Sequence, residues 1–498
     1  MSSILFQIVI VPMAAAVLVL ISRSRRESAS GWITIASLVY TTVLLVIAGW
    51  RVATHGDILE HYSIGPAVSL NLLADGLSLP IALVINLICL ALASYSLHYV
   101  SHRIDILYPE ASEQTRRMYF RRFFFLYLFF PTGFMGVAFS TNLISVYLFL
   151  ELLTIIPLYF IMAQFGYSDY ITRYKVALMC LYWGVAGAML FLIGIILGYT
   201  QSGSFEIDAL PTLAGHPQTF WVILLIMAGL GTKLAIIPLH VWMPWVHAEH
   251  PTCIAGLLAI YANIAAYVAV RVLILPLPED MQVFSLPLMI LSMLTMAYGA
   301  FLTLAQTDAK RFCACSTISQ ISYSVFGIAA MNVLGVMGGV FYFLSHILGK
   351  AILFSSAGIL VYTVETRDLR RMSGLWHRMP VTAVLWFSAA LILSALPPTS
   401  GFVGKWLFFT GAFQKVQSQP FGLVIVVMAI MASLMTLIYT FLVGIRIFFG
   451  RPNPDLDTAT DPPLTMSIPL ICLALLALFL GLFPQPLLTL IHSVVGTL

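Results

Sequence analysis

Apolar and polar positions along this chain come in blocks. Runs of largely apolar residues, each long enough to cross ~30 Å of hydrocarbon, predict helices near 4–22, 32–50, 78–100, 123–140, 142–164, 175–199, 219–244, 252–275, 282–305, 312–331, 333–363, 381–412, 420–445 and 464–495. That is about fourteen spans by the length a bilayer demands. No polar stretch between them is large enough to fold as a soluble domain, so the pattern predicts an all-α polytopic membrane protein with one transmembrane domain over residues 1–498. The first run follows Met1 almost directly and has no basic residues ahead of it, which reads as a retained helix rather than a cleaved signal.

Two of these runs are interrupted by proline: one at Pro238, the other at Pro397 and Pro398 in "SALPPTSGFVGKW" (394–406). Irregular backbone at membrane depth is tolerated where it lines a cavity or is buried in protein, so both breaks point to a polar interior path. The breaks fall five spans apart. A repeat with an odd number of helices inserts in opposite orientations, the inverted-repeat plan of many transporters. The small residues of "GVMGG" (335–339) suit close helix packing, and the proline-rich connection 446–463 reads as a surface loop.

Composition agrees: 60% of residues are hydrophobic and 9% charged, with a mean hydropathy of +0.98, outside the range of soluble domains. The 24 Lys and Arg residues supply orientation, because cytoplasmic connections collect them. Eighteen fall on one side, including Arg23, Arg25, Arg26, Arg103, the arginines between 116 and 122, Lys175, Lys310 and the arginines between 367 and 378. Only Arg51, Arg271 and Lys415 fall on the other, which places both termini on the outer face of the cell membrane. The net charge of +4 therefore reflects orientation and not nucleic-acid binding. The six cysteines read as buried small apolar residues; Cys313 and Cys315, two apart, face away from each other on a helix.

Three basic residues remain, and all lie inside spans: Lys233, Lys350 and Lys405. Glu151 in "VYLFLELLTIIPLYF" is the one acid placed deep in a span. A mid-span charge costs ~2.5–3.5 kcal/mol on insertion scales, so each needs a reason. One reading is a Glu151–Lys233 ion pair that merely ties two helices, with other side chains snorkelling. The other is a proton relay, for which lysine suits better than arginine because lysine can give up its proton. His346, four residues before Lys350 in "YFLSHILGKAILF", shares its helix face and is a relay candidate, as is His240 beyond Pro238. His247 and His250 in "WVHAEHPT" read as inner-surface residues, and with Glu249 they match no metal-ligand spacing. "GLGTK" lacks the full phosphate-loop spacing, and the sequence offers no convincing strand for a dinucleotide fingerprint. The chain shows no means of binding a redox cofactor, so redox chemistry belongs to partner subunits.

"FLELLTIIPLYF", "KLAIIPLHVWMPWVHAEHPT", "AQTDAKRFCACSTISQISY", "LSHILGKAILF", "TRDLRRMSGLW" and "LPPTSGFVGKW" occur in that order over residues 70–450. In this string the chain resembles the antiporter-like membrane subunits shared by respiratory complex I, membrane-bound hydrogenases and multisubunit Mrp-type cation/proton antiporters. The resemblance implies a fourteen-helix core with two inverted five-helix repeats, about 120–275 and 280–445, and broken helices seven and twelve. It places Glu151 and Lys233 on the family's glutamate–lysine pair, Lys405 on the charged residue of helix twelve, His346 on a helix-eleven histidine, and Lys175 on a lysine opening helix six. "TRDLRRMSGLW" looks like the complex I subunit M (subunit 4) type, whereas Lys405 and Lys350 look like D-type Mrp, hydrogenase and other complex I members. In two places the chain departs from the pattern. Asn263 or a neighbour stands where the family often has a helix-eight lysine, with Tyr261 or Tyr267 as alternatives, and Gln320 stands where many members have a histidine.

The implied function is proton translocation as one membrane subunit of a redox-driven NADH-quinone oxidoreductase-like complex, with quinone, iron–sulfur clusters and flavin in partner subunits. The alternatives are a subunit of an Mrp-type antiporter or hydrogenase exchanging protons or sodium, and a non-pumping scaffold.

Overall fold

The apolar blocks fold as helices in a computed structural model that describes residues 3–22, 28–63, 69–417, 419 and 421–498. Arg23, Arg25 and Arg26, counted above as orientation residues, lie outside the described residues. Among those described, 12 helices are long and apolar enough to cross a membrane, so the chain is an integral, multi-pass membrane protein. Local chemistry sets many helix starts. Asn142 Oδ1 accepts from Ile144 N and Ser145 N to open Leu143–Leu153. Asp169 caps Tyr170–Ser202, Asp308 caps Ala309–Ala329 and Asn332 caps Val333–Val364, each pairing backbone N–H groups that a helix start leaves open.

The chain divides into two compact units, Met1–Lys233 with Tyr267–Met281 and Thr489–Leu498, and Leu234–Ala266 with Gln282–Leu488. In the first, Tyr170–Ser202 packs on Thr219–Lys233 through facing glycines: a Cβ at Gly229 would sit 2.7 Å from Gly187 O. In the second, Ala309–Ala329, Val333–Val364 and Ser400–Val416 pack around Tyr323, Phe326, Tyr342 and Phe408. Gly339 of the "GVMGG" run has no room for a side chain, since a Cβ there would lie 2.7 Å from Ser324 O.

Both proline breaks are present, with matching local geometry. Thr219–Lys233 ends, Ala235 takes a left-handed φ of 50°, the Ile237–Pro238 bond is cis, and Leu239 N donates to Ile236 O. Pro380–Ser394 ends, Ala395 takes φ 58°, the Pro397–Pro398 bond is cis, and Thr399 N donates to Leu396 O. The chain then resumes as Met243–Glu249 and Ser400–Val416 respectively.

Several expectations are corrected. Strands do occur: Ile58–Ser63 pairs antiparallel with Ser69–Ala74 inside what reads as a loop, too short and too close to polar residues to stand out in a helical pattern. Glu60 of this hairpin accepts from Leu5 N at 3.1 Å and Phe6 N at 3.0 Å, satisfying open donors at the first helix start. The final apolar run is two helices, Leu464–Leu482 and Gln485–Val495, divided at Pro484, which cannot donate to the preceding turn. Arg116, Arg117, Arg121 and Arg122 lie on a helix, Glu113–Tyr127, rather than in a loop. Cys472 is exposed, unlike the other five cysteines.

Candidate functional site

In the first unit the site begins with a deformed helix. Leu143–Leu153 runs into a π-helical turn, Thr154–Leu158, at which Pro157 has no N–H to give to the previous turn. Glu151 and Thr154 flank the start of this turn. Lys233, the last residue of Thr219–Lys233, donates from Nζ to Glu151 Oε1 at 3.0 Å and to Thr154 Oγ1 at 3.1 Å. The Lys233 side chain is 1% exposed and that of Glu151 9%, so neither charge reaches solvent by snorkelling. Glu151 Oε2 accepts no hydrogen bond among the described residues, which leaves the carboxylate held on one oxygen. Glycines bring the neighbouring helix close: side chains at Gly184 and Gly187 would collide with Thr154 and Thr232.

A second ion pair in this unit gives Arg271, read above only as one of three charges on the outer side, a buried partner. Arg271 Nη1 and Nη2 each lie 2.7 Å from an Asp75 oxygen, the two-pronged geometry that makes such pairs strong. Asp75 also accepts from Leu77 N and Ser78 N at the start of Ser78–Leu107. Burial pushes the Asp75 carboxyl up, but the Arg271 charge and these donors outweigh it and hold it below its usual value. Tyr267, a candidate to replace the missing helix-eight lysine, donates to Ala138 O at 2.6 Å. Lys175 stands apart, exposed on Tyr170–Ser202.

In the second unit two of the relay candidates, His346 and Lys350, lie on Val333–Val364. His346 is fully buried, and Asn263 Nδ2 donates to its Nδ1 at 2.9 Å and to Ala259 O at 2.7 Å. Because Nδ1 accepts, a neutral His346 carries its proton on Nε2, and Nε2 has no hydrogen-bond partner among the described residues. One turn on, Lys350 donates to Cys313 O at 3.0 Å and to Ser316 Oγ, with the Phe354 ring 5.8 Å away.

Lys405 lies beyond the second break. Its Nζ reaches Ser433 Oγ at 2.8 Å and Leu393 O at 3.2 Å and stands 4.2 Å over the Tyr323 ring. Leu393 O is open for a reason legible in the sequence: its helical partner would be the N–H of residue 397, which is proline. Tyr342 Oη, 3.3 Å from the same carbonyl, also donates to Gln320, whose Nε2 reaches Thr436 Oγ1 and Tyr439 Oη at 2.8 Å. The glutamine at this position thus joins a closed hydroxyl network. His240 is half-buried on the first broken segment, edge-on to Tyr298 at 4.9 Å.

Further buried groups depart from the sequence reading. His247 and His250 are fully buried instead of surface residues. Neither ring nitrogen of His247 has a hydrogen-bond partner among the described residues, and its ring lies 5.7 Å from that of Phe354. Lys310 is not a loop charge but is fully buried, donating to His250 O. Glu249 is also buried, 5% exposed. A sequence signal for this burial exists, since Met243–Glu249 continues an interrupted span, but Pro244 and the polar string after it read as an exit from the membrane.

A family model described as NADH:quinone oxidoreductase/Mrp antiporter, TM, matches residues 140–444, a range that holds every relay candidate named above. The chain is 28% identical to the NADH-quinone oxidoreductase subunit M of Pseudomonas aeruginosa over 97% of this chain and 94% of that one. It is 29% identical to the A/B subunit of a probable K(+)/H(+) antiporter from Rhizobium meliloti over 96% of this chain, which spans only 46% of that longer protein. Among solved structures, the Mrp complex from Dietzia sp. DQ12-45-1b contains a chain of TM-score 0.85 at 22% identity, with 100% of this chain and 98% of that chain covered. Respiratory complex I from Thermus thermophilus with bound NADH contains one of TM-score 0.84 at 21% identity, with 99% of each covered. The fold is therefore that of these polytopic antiporter-like subunits.

Proposed function

We propose, for a chain that belongs to the NADH:quinone oxidoreductase/Mrp antiporter transmembrane family, that it moves protons as one antiporter-like membrane subunit of a larger redox-driven complex, of the subunit M type. The observation that carries this reading is the buried 3.0 Å contact between Lys233 and Glu151 next to a broken helix. Across that contact a proton can pass from the ammonium to the carboxylate, leaving a neutral amine and a neutral acid; when the charged pair separates instead, each buried charge loses its partner, so the ammonium tends to release its proton onward and the carboxylate to take one up. The π-helical turn beside Glu151 and the break after Lys233 are the kinds of irregular backbone found at functional sites.

In this reading Lys350, Lys405 and His346 carry the proton within the second unit, joined by His247, with Asn263 orienting His346 in place of a lysine. Waters complete the steps between side chains. His240 and Lys175 serve as access residues, His240 at the first break and Lys175 at the start of its helix. This reading keeps fourteen spans and two inverted five-helix repeats, each repeat holding one of the proline-broken helices at Pro238 and at Pro397 and Pro398. The protein resides in the cytoplasmic membrane with both termini outside, among other membrane subunits, and quinone, iron–sulfur clusters and flavin belong to those partners. A second reading, cation/proton exchange without a redox partner, is favoured by the match to a K(+)/H(+) antiporter.

The test uses the purified native complex in sealed liposomes, comparing wild type with Lys233→Ala at matched assembly. Donor-driven proton uptake falls at least tenfold in the variant if the reading holds. Unchanged uptake removes Lys233 from the path. A complex that lacks redox subunits but exchanges protons for sodium or potassium selects the second reading.

A further inference from the structure

The surroundings of Lys405 go beyond what a proton carrier requires. Lys405 is 4% exposed, and its ammonium contacts a backbone carbonyl freed by Pro397, a serine hydroxyl at 2.8 Å, and the faces of Tyr323 at 4.2 Å and Tyr342 at 5.3 Å. Tyr342 Oη lies 3.3 Å from the same carbonyl. Among the described residues no carboxylate bonds Lys405. The ring beneath Nζ, that of Tyr323, is itself fully buried. Neutral oxygens plus aromatic faces are the chemistry that holds a monovalent cation. Without a carboxylate the site suits a single positive charge, because a divalent ion would bury its charge uncompensated.

We propose that the chamber around Lys405 is a monovalent-cation site whose occupant is the protein's own ammonium, and that this tethered cation keeps sodium and potassium out. The lysine fills the chamber through its side chain, so no free ion competes while it stays in place. Shortening the side chain removes the occupant and leaves Leu393 O, Ser433 Oγ and both tyrosine faces where they are, and the emptied chamber accepts a free cation. The inference concerns binding and does not depend on Lys405 carrying protons, so it stands or falls separately from the proposed function.

The test is thermal unfolding of the complex carrying Lys405→Ala, in N-methylglucamine chloride, titrated with n-propylammonium, sodium or n-propanol. n-Propylammonium replaces the deleted atoms; sodium tests a bare ion; n-propanol has the same chain without the charge. The expected result is a saturable rise in Tm of at least about 2 °C with both cations, none with n-propanol, and none in wild type or in Lys405→Met, whose side chain fills the chamber. Ser433→Ala added to Lys405→Ala weakens sodium binding several-fold. If Lys405→Ala does not assemble, Lys405→Ser replaces it in the same titrations. No saturable response to either cation overturns the proposal. A response to n-propylammonium but not to sodium also overturns it, by showing a lysine-shaped hole and not an ion site.

Discussion

Lys233 in the first unit and Lys350 and Lys405 in the second are held in opposite ways. Lys233 faces a carboxylate, Glu151, at 3.0 Å. Among the described residues, Lys350 and Lys405 are bonded to carbonyls and hydroxyls and lie near aromatic rings. A buried ion pair resists the loss of one member, because the survivor is left as an uncompensated charge. A buried amine on neutral partners orphans no ion when it is removed. The first arrangement is a coupled device in which the two charges answer each other; the second is a set of independent seats. Side chains that look alike as intramembrane lysines should therefore behave differently when changed.

Glu151→Ala gives the largest effect. It strands Lys233 and should destabilise the chain by about 3–5 kcal/mol, read as a lower Tm and reduced assembly of the complex; a loss below about 1 kcal/mol would erase the contrast. Asp75→Asn is the control within the same unit, since it weakens the two-pronged pair with Arg271 away from the proposed relay. It should cost about 1.5–3 kcal/mol with little effect on transport per assembled complex. The pH dependence follows with a definite sign. The folded Asp75 carboxyl lies below its ordinary value near 3.8, so its stabilisation is complete above that pH and disappears as pH falls through the lower folded value. Acid unfolding of the Asn variant should lack that component.

Tyr342→Phe removes a hydroxyl shared by Leu393 O and Gln320 and should cost about 1 kcal/mol, with a lower pumping rate. Lys350→Met should be the mildest for stability, within about 1 kcal/mol of wild type, while abolishing transport. If Lys350→Met unfolds the chain as severely as Glu151→Ala, the lysines of the second unit are structural after all.

What can be seen in the sequence tracks how strongly each feature departs from its surroundings. A glutamate or lysine within an apolar run is conspicuous, which is how Glu151, Lys233, Lys350 and Lys405 stand out; the proline breaks are equally plain. His247 is misplaced by pattern alone because the chain after Pro244 is polar enough to read as surface, and Lys310 because it stands among polar residues between two apolar runs, although tertiary packing buries both side chains completely. The Leu393 carbonyl carries no side-chain signal, yet the proline four residues later marks it. The Ile58–Ser63 hairpin escapes notice because six-residue strands leave little periodicity within a loop. The Arg271–Asp75 pair joins residues 196 apart, a distance no local pattern spans.

The most direct test of the central claim is the double variant Glu151→Leu/Lys233→Met, measured for stability and for donor-driven proton uptake in sealed liposomes against both single variants. Replacing both charges by apolar side chains should return stability to within about 1 kcal/mol of wild type while uptake stays at least tenfold down, since the proposed function has this pair carry the proton. Uptake restored together with stability would mean that the two residues only hold helices together, and would contradict the account.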